Sequence, residues 1–407
     1  MTRRIAITGL GVLSPIGSGH DVFWGNLCEG HVGTARIEAF DVSIFDTHNG
    51  GEVRDADPRS YLKQLNPAET PRTTQLAAAA ARMALEDSGL NIDELGADRV
   101  GVCIGTTMGN ISVVEDNNDI RVEGTGALAA NLVAHMPEAY ISAAVATELG
   151  AEGPCLMVPT ACAAGNYAIS WGSDLIRDGL VDAALVGGSD AISRACYSVF
   201  NRLGALAPEV CQPFEKNRKG TMVSEGAAVI LLEDMDHAIS RGATIYAELL
   251  GYGLACDAHH PTAPHPQGMG AALAINSGLA DAGLTSGQVS YISAHGTGTK
   301  ANDATESQAI RNIFGELADE IPVSSIKGMM GHTMGAASAI EAVACSLAIQ
   351  KSMLPPTVNY EEADPECVKN IVPNKAVEHP VKIIVSNAFA FGGNISIIVL
   401  GEVNHVA

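Results

Sequence analysis

The sequence of 407 residues has few aromatic side chains, an acidic charge balance and no long apolar run. Phe, Trp and Tyr make up 4% of the residues, whereas hydrophobic residues as a whole make up 47% and glycines number 43. A core of small side chains predicts closely approaching backbones and many tight turns. The formal net charge of −22 argues against general binding of nucleic acids or anionic membranes. Nothing approaches the roughly 18–20 consecutive apolar residues of a membrane-spanning helix.

The nine cysteines are scattered and odd in number, and no two of them form a CxxC pair. We therefore expect no metal site and no disulfide framework, and we expect a reduced, cytoplasmic protein. The apolar start of the chain is interrupted by Gly9, Gly11 and Pro15, so it predicts a first strand and turn rather than a secretory signal.

A strand, a glycine-bearing turn and a helix of small residues recur along the chain. Residues 154–188 illustrate the pattern, with a strand, a helix over about 162–178 and a second strand, VDAALVGG. Because both strands are continuously apolar, this β-α-β unit predicts a parallel sheet covered on both faces. The other predicted strands are 4–12, 99–107, 244–257 and 289–299, with a closing hairpin over 382–400, and the other predicted helices include 75–89 and 271–284. Two successive α/β halves, 1–243 and 244–407, describe the chain economically, although periodicity alone does not show that they share a fold.

Cys162 lies where a strand leads into the first turn of a predicted helix. Backbone N–H groups and the helix dipole at such a position lower the pKa of a thiol and favour the thiolate. The neighbouring Ala161, Ala163 and Gly165 are small and leave room for a thioester. A small buried hydrophobe is the other interpretation, since cysteine often has that role.

Two histidines follow predicted strands on glycine-rich turns, His295 in SAHGTGT and His332 in KGMMGHTMGAAS. Open α/β sheets bind ligands at the carboxyl ends of their strands, so both histidines are candidates for a site with Cys162. A single histidine of this kind would more often be a turn residue. The histidines of HHPTAPH (259–265) fit no metal-ligand spacing, and we expect no metal there.

Four ordered motifs, TACAAG, SAHGTGT, SSIKGMMGHTMGAA and SNAFAFGGN, resemble the signature blocks of the β-ketoacyl-acyl carrier protein synthases. The likeness, which is to synthases I and II and to the catalytic ketosynthase subunits of type II polyketide synthesis, covers nearly the whole chain. It implies a thiolase-like α/β fold with two similar halves in α-β-α-β-α layers. It also implies decarboxylative condensation of an acyl thioester with malonyl-acyl carrier protein to give a 3-oxoacyl-carrier.

The resemblance implies a role for each motif residue. Cys162 is the nucleophile, His295 and His332 drive decarboxylation of the malonyl group, and Lys327 and Glu341 support the site. The residues implied for the gate and the oxyanion hole are Phe389, Phe391 and Gly392, together with the backbone of Cys162, and those implied for substrate binding are Phe200, Thr297 and Thr299.

The sequence departs from the family pattern at three positions. Ala390 replaces a glycine between the two phenylalanines, Asn394 stands in place of a threonine, and Lys219 stands where an acidic residue is common. The methyl group of Ala390 restricts φ and ψ and is expected to slow the gate. These departures favour specialised metabolism over fatty acid synthesis.

The resemblance implies no resident cofactor, because phosphopantetheine on the acyl carrier protein delivers the substrates. It implies a homodimer, or a heterodimer with a homologous chain-length subunit, with residues 105–140 at the interface. A non-catalytic chain-length-factor-like partner is the alternative function; such subunits lack the nucleophilic cysteine. Because carrier proteins are acidic, we expect them to dock on basic residues, with Lys63, Arg72 and Arg202 as candidates and Arg218 and Lys219 as weaker ones.

Overall fold

The computed structural model describes residues 3–124, 126 and 134–403. The strands are β1 Ile5–Ser14, β2 Gly17–Ser18, β3 Thr34–Arg36, β4 Asn49–Gly51, β5 Val100–Gly105, β6 Cys155–Val158, β7 Ala183–Asp190, β8 Gly226–Asp234, β9 Ala247–Cys256, β10 Tyr291–Ser293, β11 Val323–Ser324, β12 Met353–Leu354, β13 Val377–Glu378, β14 Ile383–Phe389 and β15 Asn394–Gly401. The α-helices are α1 His20–Glu29, α2 Arg72–Ser88, α3 Ile92–Leu95, α4 Ile111–Glu123, α5 Ala139–Leu149, α6 Ala164–Arg177, α7 Arg194–Arg202, α8 Met235–Ser240, α9 Met269–Asp281, α10 Lys300–Phe314, α11 Lys327–Met330 and α12 Ala337–Lys351.

One large sheet has the strand order β11-β10-β14-β15-β9-β1-β8-β7-β5-β6. Strands β5, β6 and β7 pair in parallel, as the β-α-β unit predicts. The expectation of a parallel sheet is nevertheless wrong as a whole, because β8 pairs antiparallel to both β1 and β7, and β15 to both β9 and β14. A continuously apolar strand shows that both faces of the sheet are covered but says nothing about strand direction.

The two halves of the sheet have the same topology. From the centre outwards, the first half runs β1, β8, β7, β5, β6 and the second runs β9, β15, β14, β10, β11. If the five strands of each half are numbered by their order in the sequence, both halves have the spatial order 1-5-4-2-3. Equivalent pairs of strands also run in the same relative direction, parallel or antiparallel, in the two halves. The halves meet where β1 pairs antiparallel with β9. The expected boundary between residues 243 and 244 stays a prediction.

Helices α6 and α12 form the layer between the two halves. Every residue of α12 from Ala337 to Ile349 is buried, and α12 packs on α6 and on strands of both halves. The two helices approach closely because Gly165 has no side chain: a Cβ there would lie 2.7 Å from the backbone nitrogen of Ala339. Helices α2 and α5 cover the outer face of the first half, and α9 and α10 cover that of the second. The layered thiolase-like architecture is therefore present.

The predicted elements are found, but some of their lengths differ. The strand predicted over 289–299 is shorter in the structure and comprises only Tyr291–Ser293. Residues 294–299 instead form a loop, which places His295 and two threonines beside a cavity. The closing hairpin is confirmed as β14 and β15. Within the described part of the chain, no helix is both long enough and apolar enough to cross a membrane.

Candidate active site

A cavity of about 480 Å³ brings the three predicted catalytic residues together. Cys162 comes from the first half of the chain, and His295 and His332 come from the second. The cavity is also lined by the predicted substrate and gate residues Phe200, Thr297, Thr299, Phe389 and Phe391. Gly392, Lys327 and Glu341 are not among the lining residues; the last two lie buried behind the histidines.

Cys162 is held in a single 3₁₀ turn, Ala161–Ala163, between β6 and α6. Ala161 has a φ of 50°, a conformation that alanine rarely adopts, so the turn that holds Cys162 is strained. The expected depression of the thiol pKa is wrong: burial raises the pKa of Cys162 to about 12. The charge of Lys327 and the backbone N–H groups of Cys162 and Phe391 lower it, but they do not outweigh the loss of water.

The two histidine rings lie edge to face, with ring centroids 5.4 Å apart. The backbone fixes His332, since its N–H donates to the carbonyl of Met222 (2.7 Å) and its own carbonyl accepts from the N–H of Ser224 (3.0 Å). Burial lowers the pKa of both imidazoles well below the usual value, and the charge of Lys327 lowers it further. Both histidines are therefore neutral near pH 7, and each can donate one hydrogen bond from its ring.

Lys327 and Glu341 form a buried ion pair, each with a side-chain exposure of 2%. The Nζ of Lys327 also donates to the backbone carbonyl of His295 at 2.6 Å. Burial raises the pKa of Glu341 to about 7, against the effect of the lysine. The pair therefore joins α11 and α12 to the turn that carries His295.

Glu306 is a site residue that sequence reasoning missed. Its Oε1 accepts from the N–H of His295 (2.8 Å) and from Asn387 (2.9 Å), and its Oε2 accepts from the N–H of Gly296 (2.8 Å). Burial raises the pKa of this carboxyl to about 7. Its position eleven residues after His295, facing back from α10, gives no periodic signal in the sequence.

Asp190, at the end of β7, is the second missed carboxyl group. It accepts hydrogen bonds from the N–H groups of Thr107 (2.7 Å), Met108 (2.9 Å) and Gly335 (2.7 Å). It thus ties the loop after β5 to the segment that follows His332. Burial raises its pKa to about 6. An acidic residue at the carboxyl end of a buried strand was the available signal.

The predicted gate residues lie at the end of β14 and on the turn that leads to β15. The ring of Phe391 stacks on that of Phe200 with centroids 5.5 Å apart, and the ring centroid of Phe389 lies 5.7 Å from that of His295. Ala390 has φ −135° and ψ 156°, an extended conformation that accommodates its methyl group. The N–H of Gly392 donates to the carbonyl of Pro261 at 2.8 Å, so the turn is attached to the loop at the cavity entrance.

Of the predicted docking residues, the weaker candidates Arg218 and Lys219 line the cavity, whereas Lys63, Arg72 and Arg202 do not. Lys63 pairs with Glu86 (3.0 Å), and Arg72 pairs with the buried Glu225 (2.6 Å). Arg202 is exposed at the end of α7, between Phe200 and Leu203, which do line the cavity. A docking role for these three residues stays a prediction.

Arg218, a weaker docking candidate, is 1% exposed. It bonds Asp364 and lies 3.5 Å from Asp303, so it is a buried structural cation rather than a solvated one. The histidine-rich loop 259–265 lies partly at the cavity entrance, where the Nδ1 of His260 accepts from the backbone of Thr262 and Ala263, 3.1 Å each. No group of three or more potential metal ligands occurs among the described residues.

Comparison with known proteins identifies relatives that match nearly the whole chain. The family described as "Beta-ketoacyl synthase, N-terminal domain" matches residues 2–238, and "Beta-ketoacyl synthase, C-terminal domain" matches residues 246–361. A 3-oxoacyl-[acyl-carrier-protein] synthase 2 of Synechocystis sp. is 40% identical, with 96% of each chain covered. The tetracenomycin polyketide synthase ketoacyl synthase alpha subunit of Streptomyces glaucescens is 39% identical, over 98% of this chain and 97% of the relative. The solved structure of the ishigamide ketosynthase/chain length factor is 42% identical and superposes with a TM-score of 0.96 over 99% of this chain and 100% of its own.

Proposed function

The chain belongs to the beta-ketoacyl synthase family, and from this premise we propose how its own residues carry out the decarboxylative Claisen condensation. An acyl thioester and malonyl-acyl carrier protein give a 3-oxoacyl-carrier, carbon dioxide and a free carrier thiol, with uptake of one proton. The reaction serves chain elongation in fatty acid or polyketide synthesis.

In the first half of the reaction Cys162 accepts the acyl group. Because its pKa is about 12, the thiol is protonated at rest, and its proton must leave as sulfur attacks the thioester carbonyl. The C–S bond to the carrier breaks, and the proton ends on the departing carrier thiol. The N–H groups of Cys162 and Phe391, which already act on Sγ, are placed to bind the oxyanion that forms beside it.

In the second half the two neutral imidazoles act on the malonyl thioester. Each donates a hydrogen bond to the thioester carbonyl oxygen, which becomes the enolate oxygen when the carboxylate leaves as carbon dioxide. The enolate carbon attacks the acyl carbonyl on Cys162, a C–C bond forms, and the C–S bond to Cys162 breaks. The released thiolate takes up a proton, which restores the resting thiol.

Lys327, Glu341 and Glu306 are positioning residues in this scheme. Lys327 holds the carbonyl of His295 and Glu306 holds its N–H, so the backbone of that histidine is fixed at both polar groups. A fixed imidazole loses little free energy to reorganisation when charge develops on the substrate.

The scheme calls for no resident cofactor, because the substrates bring their phosphopantetheine with them; the partner is an acyl carrier protein, and a cytoplasmic location belongs to the same proposal. We further propose a dimer, either of two copies or with a homologous chain-length subunit. Strand β6 supports this, since it is the edge of the sheet and its Leu156 is 40% exposed. Part of the stretch expected at this interface, residues 125 and 127–133, lies outside the described residues.

The presence of Cys162, His295 and His332 around one cavity is the observation that carries the proposal. It also disfavours a non-catalytic chain-length-factor-like role, because such a subunit needs no nucleophile. The test is Cys162→Ala, with Cys28→Ala as the matched control because Cys28 contacts Met353 far from the cavity.

Cys162→Ala should abolish condensation while malonyl decarboxylation, measured as released labelled carbon dioxide, persists at least in part. Condensation by the Cys162→Ala protein would refute the nucleophile assignment. A panel of acyl-carriers in single turnover then separates fatty acid from polyketide substrates.

A further inference from the structure

Two lysines, Lys219 and Lys300, stand at the entrance of the cavity. Both are exposed, and both line the cavity. They come from two segments bonded to each other, since the N–H of Gly220 donates to the carbonyl of Gly298 (3.1 Å) and the guanidinium of Arg218 donates to the carbonyl of Lys300 (3.2 Å). The two cations therefore arise from adjacent backbone at one side of the opening.

Neither lysine has a carboxylate partner in the described part of the chain, although the protein carries a net charge of −22. By contrast, fifteen of the 24 lysines and arginines are ion-paired there. Even Arg218, the residue before Lys219, is paired with Asp364. Two unpaired cations beside one opening are thus available for an external anion.

Segment 295–300 runs from the reacting groups to solvent. His295 is 3% exposed, Thr297 is 7% exposed, Thr299 is half-buried and Lys300 is exposed. The hydroxyls of Thr297 and Thr299 lie 2.9 Å apart. A linear substrate with its thioester at His295 would pass these hydroxyls and place its outer end beside the lysines.

We propose that Lys219 and Lys300 bind the phosphate group of the phosphopantetheine arm as it enters the cavity. The inference rests on the proposed function, which makes the thioester of such an arm the substrate. A phosphate at the solvent end of the arm gives each ammonium group a charge-assisted hydrogen bond, and these contacts set the depth to which the arm enters. The competing anion is a carboxylate on the surface of the carrier protein.

The test compares three acyl donors, acyl-pantetheine, acyl-phosphopantetheine and acyl-carrier, on the wild type and on the double variant Lys219→Gln/Lys300→Gln. The matched control is Lys375→Gln/Lys382→Gln, which removes two exposed lysines away from the cavity. The readout is kcat/KM for acylation of Cys162, followed by mass.

For acyl-phosphopantetheine we expect a loss of about three- to tenfold in the cavity variant, as for two solvent-exposed charge contacts. Acyl-pantetheine should be unaffected, and the control variant should match the wild type with every donor. An equal loss with acyl-pantetheine would overturn the proposal in favour of an effect on cavity shape. A loss confined to acyl-carrier would overturn it in favour of the carrier surface.

Protection of Cys162 from iodoacetamide by phosphopantetheine tests the same contact without catalysis. Protection should be weaker in the cavity variant than in the wild type, and equal protection would overturn the proposal. If the wild type is acylated by none of the three donors, the proposed function fails, while the protection measurement still decides whether the lysines bind phosphate.

Discussion

Replacing Glu306 by Gln tests whether a buried carboxylate positions His295. The native carboxylate accepts three N–H donors at 2.8–2.9 Å, two on Oε1 and one on Oε2. Gln keeps one acceptor oxygen but turns an NH₂ group towards the N–H of Gly296. At a pH above about 7, where Glu306 is ionised, one charge-assisted hydrogen bond is lost and a buried donor is left without an acceptor, which costs about 2–3 kcal/mol.

The catalytic effect should fall on one partial reaction. The turn that Glu306 holds carries His295, so we expect malonyl decarboxylation to slow by about tenfold to a hundredfold as the imidazole loses its alignment. Acyl transfer to Cys162 should change less, because none of the contacts of Glu306 involves the turn of the nucleophile. The assays are release of labelled carbon dioxide and the mass shift of the acyl-enzyme.

Glu316→Gln is the matched control, because Glu316 is exposed just beyond the end of the same helix. It should leave both partial reactions and the thermal midpoint unchanged. The reasoning is refuted if Glu306→Gln unfolds at the wild-type temperature and keeps the wild-type rate of decarboxylation. A variant that unfolds earlier but loses both partial reactions equally would show that Glu306 supports the fold and not His295 in particular.

Three further predictions follow from the same structure. Burial raises the pKa of Glu306 to about 7, so the folded state binds the carboxyl proton more tightly than the unfolded state does, and the stability that Glu306 contributes falls as pH rises from about 5 to 7. Over this pH range the free energy of unfolding of Glu306→Gln should therefore decline less than that of the wild type. An equal decline would contradict the assignment of this pKa to Glu306. Ala390→Gly should lower the free energy of unfolding by about 0.4–1 kcal/mol and speed alkylation of Cys162, because glycine gives the backbone at position 390 more conformational freedom than alanine does. An unchanged alkylation rate would show that Ala390 does not restrain the gate. Light scattering of the isolated chain at micromolar concentration should show a dimer if two copies pair, or a monomer lacking condensation activity if a homologous subunit is required, and an active monomer would disprove both forms of assembly.

The candidate reacting side chains can be predicted from sequence, because each lies on a local strand-to-turn signal. Cys162, His295 and His332 all carry this signal, and the structure places them on one cavity. Their protonation could not be predicted in the same way. The position of Cys162 before a helix favours the thiolate, yet burial has the larger effect on its pKa, and burial depends on what the rest of the chain places over the sulfur.

The carboxylates that support the site could not be predicted from sequence, for a related reason. Glu306 and Asp190 act through hydrogen bonds to backbone N–H groups of segments elsewhere in the chain, and such contacts leave no periodic pattern. Likewise, the sequence predicts Arg72 and Arg218 as docking cations, since no local pattern shows that Glu225 and Asp364 lie beside them. The direction of the strands could not be predicted from sequence either, because it depends on the long connections between strands rather than on the apolar pattern within a strand.

The repeated topology explains how residues so far apart in sequence meet at one site. Cys162 follows the third sheet strand of the first half, and His332 follows the third sheet strand of the second, each just before one of the two central helices. Phe200 and Phe391, which stack on each other, both lie in the connection between the fourth and fifth strands of their halves. Equivalent turns of the two halves thus meet at one cavity, where one carries the proposed nucleophile and the other a proposed hydrogen-bond donor. Because the equivalence lies in strand order and direction and not in any repeat of residues, it is a property of the folded sheet that the sequence alone does not show.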